Sequence, residues 1–128
     1  TEVEIIEEKK VDNKIPVLTL NDLVMKQAEE LHAPQLAPAR EKTGSTDFGN
    51  VMRRVPGTCA RIAFVDPGAA AHSQEYIAAG KTDAAHDAVV YGAKILAGTA
   101  LELIEDPELL NRVKTEFKEN LAKENSEV

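Results

Sequence analysis

The most restrictive stretch of this chain is Thr58 to Val65, where Cys59, Ala60, Ile62, Ala63, Phe64 and Val65 are apolar with little alternation. Such a run reads as a strand covered on both faces, as in an α/β sheet. Asp66-Pro67-Gly68 ends it, and Gly68-Ala-Ala-Ala-His-Ser-Gln-Glu-Tyr76 follows as a loop carrying His72. Ligands in open α/β sheets gather beyond the carboxyl ends of strands, so this loop is the first place to look for chemistry. A second polar knot, Gly44-Ser-Thr-Asp-Phe-Gly-Asn50, lies just upstream. The expectation is that the two knots face one another at one rim of a sheet, with His72 on a metal ion and Asp47 nearby.

The remaining elements do not supply enough strands. Val3 and Ile5 alternate with Glu2 and Glu4, which predicts one half-exposed strand over Thr1 to Glu8. From Leu18 the period becomes helical: Leu20, Leu23, Val24, Ala28 and Leu31 share a stripe, with Thr19 as cap and Asp22 near the helix start. That helix ends near His32, and residues 33–43 hold two prolines and no period. A helical turn through Val51 and Met52 follows. Thr82 caps a long helix to about Glu105, with Ala85, Ala88, Val89, Leu96, Ala100, Leu103 and Ile104 as its inner stripe. Asp106-Pro107-Glu108 opens a last helix through Leu109, Val113, Phe117 and Leu121. A strand apolar on both faces needs neighbours, and at most one is visible. The chain therefore reads as an α/β domain with an incomplete sheet, completed by a missing segment or another subunit.

Composition narrows the function classes. The 128 residues suffice for one core, 43% hydrophobic residues exclude a disordered chain, and 4% aromatics leave Ala, Val, Leu and Ile to build the interior. A net charge of -7 argues against nucleic acid or an anionic membrane as partner. No apolar run approaches the roughly 20 residues of a membrane span. The acidic start is unlike a signal peptide, and the single Cys59 suits a reducing, cytoplasmic setting. The chain begins without Met and in mid-strand, so a processed protein or an excised piece is expected.

Among single residues, His72 suits zinc, though a lone loop histidine is more often simply solvated. Asp47 could orient a ligand, bind substrate or ligate metal, or cap a turn. Glu75 could pair with His72 or face solvent. His86 reads as a packed histidine, His32 as a helix-end histidine, and Cys59 as an inert strand thiol. A catalytic zinc takes three protein ligands and an open position, and the chain offers one histidine and one aspartate for it. No phosphate loop, paired-Cys site or serine nucleophile motif is present.

Taken in order, Gly44-Ser-Thr-Asp-Phe-Gly-Asn-Val51, Val55-Pro56, Gly68 through His72-Ser73, Ala85-His86 and Ala93-Lys-Ile-Leu-Ala-Gly-Thr-Ala-Leu101 resemble the C-terminal end of the M20 metallopeptidase/amidohydrolase family. Asp106-Pro-Glu-Leu-Leu110 and Glu116-Phe117 extend the resemblance, whose nearest branch is the aminobenzoyl-glutamate hydrolase and aminoacylase-1-like group. It implies part of a zinc-peptidase-like three-layer α/β/α catalytic domain. Residues 1–13 would be the last lid strand and linker, 14–122 the catalytic part and 123–128 a flexible tail. It implies a hydrolase of the amide bond in an N-acyl amino acid or dipeptide-like substrate. Two divalent metal ions would serve it, zinc first and manganese or cobalt as alternatives, in a homodimer. His72 matches the family's last metal-ligand histidine, and Asp47, with Ser45 and Thr46, matches the motif near metal or substrate. The family's other ligands and its general base lie in an N-terminal half with no counterpart here, so the chain holds no catalytic residue and is expected to be inactive alone. The rival expectation is a non-catalytic interaction module, or a subunit that completes a partner's sheet.

Overall fold

The structure is a computed structural model that describes residues 2–6, 8–38, 44 and 46–126. Five helices follow one another: α1 (Leu18–Glu30), α2 (Phe48–Met52), α3 (Gln74–Ala79), α4 (Asp83–Glu105) and α5 (Pro107–Ser126). Among the described residues there is no strand, so the α/β reading with its incomplete sheet is corrected to an all-helical fold. The physical reason lies in the two stretches read as strands. Val3, Ile5 and Ile6 are exposed, and nothing pairs their backbone into a ladder. Residues 58–65 run irregularly and rest on helices instead, with Ile62 against the cluster of Val24, Ala28 and Ile95. An apolar segment satisfied by a helix surface has no need of a strand neighbour.

The fold is held by α1, α4 and α5, which pack on one another. Residues leading into α1 alternate: Ile15 and Val17 are 1% and 0% exposed, while Pro16 between them faces out. They join Leu20 and Leu23 of α1 and Leu109, Val113 and Phe117 of α5 in one cluster. The i, i+4 spacing of Leu109, Val113 and Phe117 gives α5 a single buried face.

The polar face of α5 beside that cluster grips the same segment. The Glu116 carboxylate accepts from the backbone N–H of Leu18 at 2.6 Å and of Thr19 at 3.0 Å. Asn120 Nδ2 donates to the Pro16 carbonyl at 2.9 Å, and Asn13 donates to Glu124. Glu116, Asn120 and Glu124 lie at successive turns of α5, so the helix tracks residues 13–19 like a rail. Thr19 was the expected cap of α1. The position before the helix is Val17, which offers no side-chain acceptor, and Glu116 takes the free N–H groups from across the fold. An anion at a helix N-terminus also meets the positive end of its dipole. Partial burial pushes the Glu116 carboxyl up, but the Thr19 hydroxyl and the backbone N–H groups outweigh it, leaving the group below its ordinary 4.5.

Local signals set the other two long helices. Thr82 Oγ1 accepts from Ala85 N at 3.3 Å and starts α4. Asp106 Oδ1 accepts from Leu109 N at 2.9 Å, with Pro107 at the first position of α5. Lys26 and Gln27 of α1 reach Glu102 of α4 at 2.8 and 2.9 Å. The inner stripe of α4 differs from expectation. Ala85 and Ala88 are buried as expected and Leu103 packs against the core, but Ile95 and Thr99 are buried where Val89, Leu96, Ala100 and Ile104 were expected. Among the described residues, no helix is long and apolar enough to cross a membrane.

Two outcomes test this account. Glu116→Gln should cost about 1 kcal/mol at neutral pH, the usual worth of a helix cap. Because the folded carboxyl lies below 4.5, its stabilisation is full above that value and fades as pH falls through the lower folded value. Thermal melts of the two proteins should therefore differ at pH 7 and converge in acid. Gly49→Ala should cost roughly 1–3 kcal/mol by overpacking, since a Cβ there would collide with the Asp12 carbonyl oxygen. Gly44→Ala, with nothing within 4 Å, should be neutral in the same urea titration.

Candidate functional site

The His72 loop is fixed at both ends. Ala69 N donates to the Asp66 carbonyl at 3.1 Å, and Gly68 at φ 99 makes the turn that a side chain would strain. At the far side, Tyr76 of α3 meets Phe64 edge to face, with ring centroids 5.3 Å apart. Between these anchors His72 is exposed and sits at φ 63, the left-handed region. Histidine enters that region more readily than most residues, at a cost of about 1–2 kcal/mol. Ser73 precedes α3 and holds the Glu75 carboxyl below its ordinary value, with help from the backbone. His72 is not among the groups that act on the Glu75 carboxyl.

The second knot is organised around the N-terminal segment. Thr46 Oγ1 accepts from Phe48 N at 3.3 Å, and Gly49 N donates to the Thr46 carbonyl. The Asp47 carboxylate accepts from Lys9 at 3.1 Å in an exposed ion pair. Asn50 accepts from Asp12 N at 3.2 Å and donates to the Lys10 carbonyl at 3.1 Å. Ser45 lies outside the described residues. The polar contacts of Thr46, Asp47 and Asn50 thus stay within α2 or run to residues 9–12, and none reaches the His72 loop. With no sheet formed, there is no sheet rim for the two knots to share.

Among the described residues, no group of three or more His, Cys, Asp or Glu side chains could hold a metal ion. The described residues therefore do not by themselves fit the two-metal centre that the resemblance implies. His32 at φ 53 follows α1 and is exposed. Cys59 is an exposed free thiol on an irregular segment rather than a strand. His86 is exposed rather than packed. It lines an open, mainly apolar groove of about 330 Å³ with Ile62, Phe64, Gly80, Ala85, Ala88 and Val89. Sequence reading missed this groove. Its one signal was the alanine spacing at Ala85 and Ala88, which leaves a shallow surface for Ile62 and Phe64 to approach.

The chain is similar over 82 residues, 64% of its length, to two dipeptidases. It is 42% identical to the Xaa-Arg dipeptidase of Mus musculus and 39% identical to that of Homo sapiens. The matched stretch is 19% of each relative, so the chain spans about a fifth of the length of the curated relatives it matches. At that level the likeness agrees with the peptidase side of the resemblance, and it does not single out the aminobenzoyl-glutamate hydrolase or aminoacylase-1-like branch. No family model matches the chain, and no solved structure matches it.

The backbone at His72 separates conformational from chemical roles. His72→Asn keeps a residue that tolerates the left-handed region and should leave stability within about 0.5 kcal/mol. His72→Val places a branched side chain there and should cost about 1–2 kcal/mol. Chemical denaturation of the two variants against the parent protein checks this ordering.

Proposed function

We propose that this chain is one part of a peptidase-type hydrolase that cleaves an amide bond in a dipeptide or N-acyl amino acid. The observation that carries this reading is the 42% identity over 82 residues to an Xaa-Arg dipeptidase. The ordered motifs around Asp47 and His72 agree with it. In this reading His72 contributes a single imidazole donor to a centre whose other donors come from outside the chain. Its exposure and its strained backbone suit a ligand presented outward from an anchored loop. Thr46 and Asp47, with Ser45, would lie near the metal or the substrate in the complete centre. The metals, two divalent ions with zinc first, would supply Lewis acidity and an activated water when bound. Because the described residues here do not form a metal site, no catalytic step is assigned to them.

Within the chain itself, the derived roles are positional. Phe64 and Tyr76 hold the His72 loop against residues 62–65. Lys9 neutralises Asp47, so this carboxylate is engaged until a stronger cation displaces the ammonium. Surface pairs of this kind are worth about 0–1 kcal/mol, which a divalent ion can easily overcome.

A second reading, the non-catalytic interaction module, is favoured by one observation: α4 leaves a broad apolar face uncovered.

The test uses two polypeptides. The 128-residue chain, supplied with zinc, manganese or cobalt, should not hydrolyse an Xaa-Arg dipeptide or an N-acyl amino acid. The polypeptide of the complete reading frame should hydrolyse one of these classes. There His72→Asn should lower turnover by about 10²-fold or more and reduce bound metal, measured by elemental analysis. Turnover by the short chain would refute its dependence on outside donors. An inert complete protein would refute the hydrolase reading.

A further inference from the structure

Residues 9–19 form a strap gripped by two different elements. Its first part lies on α2 and the knot before it. Lys9 Nζ donates to the Asp47 carboxylate at 3.1 Å, Asn50 Nδ2 to the Lys10 carbonyl at 3.1 Å, and Asp12 N to Asn50 Oδ1 at 3.2 Å. Its second part lies on α5. Asn13 donates to Glu124, and the Pro16 carbonyl accepts from Asn120 at 2.9 Å. Glu116 accepts from Leu18 N at 2.6 Å and from Thr19 N at 3.0 Å. The changeover falls between adjacent residues, Asp12 and Asn13, and Gly49 of α2 lies close to the backbone of both. Two contacts joined by a linker support one another through an effective concentration that the linker sets. Here no linker separates the grips, so they share one stretch of backbone without slack.

The Asp47 knot also has a tie of its own. Thr58 Oγ1 donates to Asn21 of α1, and Gly49 and Met52 of α2 are buried. Among the described residues, the Thr58 bond is the polar contact that ties residues 46–58 to the α1, α4 and α5 core without the strap. The strap can therefore lift while α2 stays. Asp47 remains with α2, and Lys9 leaves with the strap.

We propose that residues 9–19 are a latch with two positions. Seated on α5, the latch lays the Lys9 ammonium against Asp47; lifted from α5, it bares that carboxylate. The latch is a property of the fold, and only its use as a control on the candidate site rests on the hydrolase reading. Ile15 and Val17, 1% and 0% exposed, must leave the core when it lifts, so the seated position is the resting one. The lifted position is a local opening of the kind from which movable elements are drawn. The two grips are linked reciprocally. Whatever weakens the hold of α5 weakens the hold of Lys9 on Asp47, and the reverse follows by the same factor.

Amide hydrogen exchange of the 128-residue chain, followed residue by residue by NMR, tests the proposal. Asp12, Leu18 and Thr19 each donate a backbone N–H to one of the two grips. In the parent chain the three should share one protection, below that of Val113 N–H in the core. Glu116→Gln should lower the protection of all three about fivefold, the factor that one helix cap represents. A cap with a local role alone would expose Leu18 and Thr19 and leave Asp12 as it was. Asn50→Ala is the reverse test: Asn50 bonds residues 10 and 12, yet its loss should lower the protection of Leu18 and Thr19. Asp12 protection that ignores Glu116→Gln would overturn the latch. So would Leu18 and Thr19 protection that ignores Asn50→Ala, or opening of all three only together with Val113. Coupled exchange beside a complete protein that hydrolyses nothing would keep the latch and remove the hydrolase reading alone.

Discussion

The rest of the fold depends on a carboxylate from one end of the chain seated on a helix start near the other. Glu116 stands 98 and 97 positions from the N–H groups it accepts, yet it does the work that a local cap does elsewhere. Its effect is more than electrostatic. By holding Leu18 and Thr19, it fixes where α1 begins, and so which side of α1 carries Leu20 and Leu23 into the core. Ile15 and Val17 are then drawn against Phe117 and Val113, and the Pro16 carbonyl between them finds Asn120. The apolar and polar contacts reinforce one another because they alternate along the same few residues. Once α1 is set, Lys26 and Gln27 fall opposite Glu102 and bring in α4.

The candidate site hangs outside this arrangement. Residues 44–82 lie in the chain between α1 and α4, and their two polar knots are moored separately. The Asp47 knot is tied to residues 9–12 through Lys9 and Asn50, with Gly49 pressed on the Asp12 backbone. The His72 loop is tied to residues 62–64 by Phe64 and Tyr76. With these different moorings, no hydrogen bond or ion pair among the described residues links the two side chains singled out by type. A metal centre needs several donors converging within a few ångströms, and this chain holds its candidates by unrelated anchors.

The legible parts of the sequence were those decided locally. Thr82 and Asp106-Pro107 announce two helix starts by residue type alone, and both hold through hydrogen bonds three positions long. The stripe of Leu20, Leu23, Val24 and Ala28 was readable because the opposite side of α1 is polar. In α4 that contrast is missing. Both Ile95 and Leu96 are apolar, so periodicity cannot choose which faces in, and the structure buries Ile95 while leaving Leu96 exposed. The apolar run before Asp66 misled for a related reason. Composition states that Ile62 and Phe64 want cover, but not whether a sheet or a helix provides it. Glu116 left no local trace as a cap. In the candidate site, the sequence placed His72 in a loop, where the structure has it, while the moorings that decide its neighbours are long-range.

Two deficits remain in the molecule, and they are not one deficit. The described residues hold too few converging donors for a metal centre, and α4 has more apolar surface than the other described helices cover. A single missing partner would be the economical explanation for both. The first concerns polar groups that must converge within a few ångströms. The second concerns apolar area left in water, which any surface of fitting shape can cover. The His72 loop is moored to residues 62–64 through Phe64 and Tyr76, whereas Val89, Leu96 and Ile104 stand on α4. Covering the helix and completing the site are therefore separate physical problems.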